Sequence, residues 1–83
     1  MDHATYTRIT EDLRRQIDER LYVRARSFPG AVRKAGRLLP ANARAAALDL
    51  VAMESRLTHP KLAARTDPAT VHAAADTVRT ALA

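Results

Sequence analysis

An all-α fold, a small bundle of three main helices with one or two short ones, is predicted by three features of this chain. Apolar residues recur at 3- and 4-residue steps, strand signals are missing, and four prolines cut the sequence into helix-sized pieces. The β-branched residues are scattered, no stretch alternates with period two, and no Asn-Gly or Asp-Gly hairpin turn occurs. The high content of Ala, Arg and Leu is good helix material.

The prolines at 29, 40, 60 and 68 organise the rest. Proline fixes φ and lacks the amide hydrogen, so it suits the first helical turn and damages an interior. The division gives helices over about 5–26, 29–38, 41–58, 60–65 and 68–82, read as a single helical domain over residues 1–83. On the first, Tyr6, Ile9, Leu13, Ile17 and Leu21 form one continuous face. Its outer faces offer Arg8/Asp12, Glu11/Arg15, Arg14/Asp18 and Arg15/Glu19 as i, i+4 pairs, the pattern of a solvated surface.

Ser27 is the expected cap of the second helix, where Phe28, Val32, Ala35 and Leu39 pack inward while Arg33, Lys34 and Arg37 project together. Leu39-Pro40 carries no polar cap, and the break there rests on proline alone. On the third helix Ala43, Ala46, Ala47, Leu50, Val51, Met53 and Leu57 cluster on one side, with small residues that allow close helix approach. Thr58 is placed to cap the turn that starts at Pro60. Asp67-Pro68 is the cleanest start signal, a capping carboxylate followed by proline at the first helical position. The last helix shows Val71, Ala74, Ala75, Val78 and Leu82 as its stripe, with His72, Asp76 and Arg79 lying away from it.

Helical spacing also puts two charges on apolar faces. Glu54 falls near the middle of the third helix's stripe, and Arg24 falls in line with Tyr6, Leu13 and Ile17 if the first helix runs that far. Such a charge must be paired, must snorkel or must meet a partner. Two arrangements satisfy this. Arg24 lies beyond the packed region and Glu54 at its rim, or Glu54 pairs with Arg24, Arg33 or Arg37 and fixes helix register.

Size and charge bound the function. Ala supplies 18 of the apolar residues, and Leu, Ile, Val and Phe together number 17. A short chain with so few large apolar side chains has a marginal core, which motivates self-association through the stripe of the first helix. There is no Cys, which excludes disulfides and thiolate chemistry. No apolar run approaches the length of a membrane span, the first residues have no secretory pattern, and the expected location is cytoplasmic.

The net charge is +5 and its distribution is uneven. Between Arg20 and Leu48 there is no acidic residue but seven basic ones: Arg20, Arg24, Arg26, Arg33, Lys34, Arg37 and Arg44. Such a field attracts nucleic-acid phosphates, anionic head groups or an acidic protein surface. Arg outnumbers Lys by twelve to two, and its planar fork suits phosphate or carboxylate, although a compositional bias toward Ala and Arg gives the same count. A helix-turn-helix reading is poor, because the helix after Pro40 offers only Asn42 and Arg44 before three alanines. Base stacking lacks a platform, since two of the three aromatic residues, Tyr6, Tyr22 and Phe28, look useful to the core.

Catalytic motifs are absent from the sequence, and no cofactor or metal site is expected. Gly30 and Gly36 bracket a segment followed by Arg37-Leu38, which fails the phosphate-loop requirement. His3, His59 and His72 lack ligand-like spacing. His3 as third residue gives only the generic possibility of square-planar copper or nickel binding with the α-amine and two amides. The expected function is a non-enzymatic interaction module docking on another macromolecule through its Arg-rich end. The alternatives are sequence-nonspecific nucleic-acid binding and a self-associating structural bundle.

Overall fold

The computed structural model describes residues 1–83 and is all-α. Its helices are α1 (His3–Leu21), α2 (Phe28–Ala35), α3 (Ala41–Leu57), α4 (Pro60–Arg65) and α5 (Pro68–Leu82), with a 3-10 turn over Gly36–Leu38. Four of the five have eight residues or more, against the three main helices expected. No helix is long and apolar enough to cross a membrane.

Three helices start on a side-chain cap. The Asp2 carboxylate accepts from the Thr5 amide at 3.1 Å, the Ser27 hydroxyl from the Gly30 amide at 3.2 Å, and the Asp67 carboxylate from the Ala69 amide at 2.9 Å. Bonds from the Thr5 side chain and then its amide hold the Asp2 carboxyl below its usual range. Thr58 caps the other way: it ends α3, and its hydroxyl donates to the Ser55 carbonyl at 2.8 Å. The expected second helix stops at Ala35, because Gly36 takes φ 47°, which side-chain-bearing residues rarely adopt.

The largest departure is at the end of α1, which stops at Leu21 and not near 26. Tyr22 adopts the left-handed region at φ 57°, and its amide donates to the Asp18 carbonyl at 2.9 Å. The chain then turns back, held by Arg14 Nη1 donating to the Ala25 carbonyl at 3.0 Å and Lys34 Nζ to the Arg24 carbonyl at 2.9 Å. A continued helix would carry Phe28 and Val32 away from the α1 stripe. A left-handed Tyr costs about 1–2 kcal/mol, whereas burying each large apolar side chain contributes about 1.5–3 kcal/mol, so tertiary packing overrides local helix propensity.

The core is a single cluster of 18 buried apolar residues, built around Leu13, Ile17, Leu39, Leu50, Val71 and Val78. Six of the eighteen are alanines, and Ala43, Ala47 and Ala75 let α3 and α5 approach closely in the most extensive helix contact of the fold. The α1 stripe from Tyr6 to Ile17 is buried within the same chain, packed chiefly by α2 and α5. The Tyr6 hydroxyl donates to the Leu50 carbonyl, tying α1 to α3. The Cα radius of gyration, 12.1 Å, matches the roughly 12 Å of a well-packed chain of this length.

Exposed charges pair differently from the i, i+4 expectation. Glu11 takes Arg14 at 2.7 Å and Asp12 takes Arg15 at 3.3 Å, both at i, i+3. Asp12 also accepts from Gln16 at 2.8 Å and lies 3.8 Å from Arg79, linking α1 to α5. Arg79 is half-buried, and it also takes Asp76 at 3.0 Å.

Candidate macromolecule-docking surface

The early end of α1 moves Arg24 off any helix face and into the 22–27 segment, where its side chain is exposed. The proposed Arg24–Glu54 pair does not form, nor does a pair of Glu54 with Arg33 or Arg37. Glu54 is exposed at the rim of the α3 stripe, close enough to Tyr6 that its charge helps raise the phenol. Burial is the larger cause, and together they push the Tyr6 hydroxyl up to about 12.

The seven cations of the basic segment occupy five stretches of chain. Arg20 is exposed in the last turn of α1, Arg24 and Arg26 in the following segment, Arg33 and Lys34 on α2, and Arg37 on the 3-10 turn. Arg44 is half-buried in the first turn of α3. None forms an ion pair; every ion pair in the molecule joins residues of α1 and α5. Arg8, Arg56, Lys61 and Arg65 are unpaired too, but Glu11 and Asp12 follow Arg8 within four residues, and Glu54 and Asp67 flank the other three in sequence. Because the chain carries +5 and the 20–48 segment +7, the remainder carries −2. The polarity read from sequence is therefore not cancelled by folding.

The side chains do not all project together, as the sequence suggested for Arg33, Lys34 and Arg37. Consecutive helical residues diverge by about 100°, so Lys34 and Arg33 serve different sides of α2. Lys34 joins Arg24, Ala25, Arg26 and Asp18 around an open surface concavity. Arg33 joins Arg44 beside a second, more apolar groove between α2 and α3, lined by Pro29, Val32, Leu48 and Val51. Gly36 closes the same groove, while Arg20 and Arg37 line neither depression.

This groove escaped the sequence reading, although a signal was present. Pro29, Val32 and Arg33 share one face of α2, with Gly36 just past its end, and Arg44, Leu48 and Val51 share one face of α3 by their 3- and 4-residue steps. Val51 was assigned to the core stripe, and Leu48 was not singled out. Leu48 is in fact 55% exposed and Val51 only half-buried. Tyr22 is the other outlier, an aromatic ring 90% exposed within the basic segment.

The His3 constellation is engaged in structure. The Met1 ammonium donates to the Ala63 and Thr66 carbonyls at 3.1 and 3.2 Å, and the His3 ring stacks on Tyr6 with centroids 6.3 Å apart. Square-planar metal binding there would require giving up those bonds and unwinding the start of α1.

Among known proteins, the chain matches no family model, no curated protein and no solved structure, so its function is argued from this geometry.

Proposed function

We infer that this protein is a small, basic, non-enzymatic module that docks on another macromolecule through its Arg-rich end. The observation that carries the reading is that all seven cations between Arg20 and Leu48 are left without an ion pair, whereas the ion pairs that do form hold Glu11, Asp12 and Asp76 to arginines of α1 and α5. Unneutralised cations on one end attract an anionic surface and orient its approach. The displaced pKa values belong to structural groups: a helix cap at Asp2, a core phenol at Tyr6, and the Glu11–Arg14 pair. None of these lies in a cleft suited to acid–base work.

Phosphate-backbone binding is a second reading, favoured by the exposed Tyr22 ring beside Arg20 and Arg24, which offers one stacking surface amid positive charge. One experiment separates the two. Source-cell lysate is passed over the immobilised wild-type protein and over Arg24→Glu/Arg26→Glu/Arg33→Glu/Lys34→Glu/Arg44→Glu, with and without nuclease. Retention of a protein that is lost with the variant and at high salt but survives nuclease supports docking on an acidic protein. Retention abolished by nuclease supports nucleic acid. Equal retention by wild type and variant removes the Arg-rich end from both readings.

A further inference from the structure

We propose that the groove between α2 and α3 receives a short acidic segment of a partner protein, whose apolar side chain sits over Val32, Leu48 and Val51 while its carboxylates meet Arg33 and Arg44. The proposal rests on the docking reading above and deepens it by naming the site and the partner's chemistry. The groove walls are about one turn of α2, from Pro29 to Arg33, and two turns of α3, from Arg44 to Val51, the longer wall being about 10 Å. That length suits one or two apolar anchors of a peptide or short helix, the mode in which an amphipathic segment lays its apolar face between two helices. The floor is aliphatic, and Leu48 presents 55% of its surface to solvent. A lone exposed Leu is ordinary; here it lies in a concavity flanked by two guanidinium groups that have no carboxylate partner.

Charge selects the occupant. A phosphate backbone gains nothing from an aliphatic floor, and no aromatic ring lines the groove for a base to stack on. A second copy is disfavoured by the same logic. Of the exposed large apolar side chains, Tyr22, Leu38 and Leu62 sit beside Arg20 and Arg24, Arg37, and Lys61 and Arg65. Each would bring like charge against Arg33 and Arg44; the fourth, Leu48, is in the groove itself, and a two-fold pairing through it would set two Arg33 and two Arg44 against only two Asp49. An apolar anchor flanked by Asp or Glu is the complement that remains. The small footprint makes the contact transient rather than obligate.

The test is an NMR titration of the 15N-labelled full chain with a synthetic peptide about three helical turns long, bearing two leucines at i, i+4 flanked by glutamates. Saturable amide shifts centred on Val32, Arg33, Arg44, Leu48 and Val51 are expected. Arg33→Glu/Arg44→Glu and Leu48→Ser should each weaken binding about tenfold, whereas Lys61→Glu/Arg65→Glu, on exposed residues outside the basic segment, should change it less than about twofold. Thermal unfolding checks that these surface variants stay folded. Shifts centred on Arg24, Arg26 and Lys34, with the groove variants binding like wild type, would overturn the groove and leave docking at the Arg-rich end standing. Equal affinity for a peptide with Ala in place of Leu would overturn it too, as would a concentration-dependent dimer abolished by Leu48→Ser. Failure of wild type to bind this peptide overturns the groove, and failure to bind poly-glutamate as well removes the broader reading.

Discussion

Tyr6 shows how much one side chain decides in a core this small. Its ring is 2% exposed, and its hydroxyl bonds across to α3. The folded protein keeps the phenol protonated to about pH 12, against 10.0 for the unfolded group. The stability gained from holding that proton is fully present below pH 10 and is lost as pH rises from 10 towards 12. The loss is on the order of 2–3 kcal/mol, two units at about 1.36 kcal/mol each. In a Tyr22→Phe background, phenolate absorbance reports Tyr6 alone and should rise together with loss of helical circular dichroism. Tyr6→Phe should cost about 1 kcal/mol at neutral pH and flatten the alkaline slope; an unchanged slope would mean that another group governs it. Tyr22 tests the opposite case, a side chain that strains the backbone and packs on nothing. Tyr22→Gly should leave stability unchanged or raise it by up to about 1 kcal/mol in urea titration, because glycine takes the left-handed region without the Cβ penalty.

At the scale of elements, the 22–27 segment shows where local rules gave way. Neither Gly nor Pro marks Tyr22 as a helix end, and Arg-rich sequence there favours continuing α1. What ends the helix is remote: Phe28 and Val32 must reach the α1 stripe, and Arg14 holds the returning backbone by bonding the Ala25 carbonyl. Arg14 also grips Glu11 through Nε and Nη2, which keeps Arg14 charged and the Glu11 carboxyl below its usual range. Arg14→Ala should therefore speed amide exchange across residues 23–27 and cost about 1 kcal/mol. Arg14→Lys should not restore protection, since an ammonium cannot reproduce the fork. Unchanged exchange in Arg14→Ala would show that Phe28 packing alone sets the turn. By contrast, the starts of α2 and α5 were legible because Ser27-Phe28-Pro29 and Asp67-Pro68 carry their caps in adjacent residues. The stripes of α1 and α5 were legible for a similar reason, as helical period alone fixes which residues share a face.

Across the whole molecule, the +7 segment has no ion pair and repels itself. Screening by salt should relieve that repulsion, so Tm should rise when sodium chloride increases from low to physiological ionic strength. A Tm that fell over that range would indicate that the α1 and α5 ion pairs outweigh the repulsion. Docking should show the opposite trend, weakening as salt increases.

The sequence by itself determined the all-α class, most helix starts, the inward faces and the uneven distribution of positive charge. These depend on residue type and on spacing within one turn, quantities that the chain carries locally. Tertiary structure alone decided that α1 stops at Leu21, that Glu54 stands at the rim without a cationic partner, and that Arg33 meets Arg44 of α3 while Lys34 meets Arg24 and Arg26. It also decided that Leu48 stands exposed beside a groove, which Val51 lines while packing partly against the core. Each of these depends on which helix lies alongside which, and that is set by packing energies summed over residues far apart in the chain.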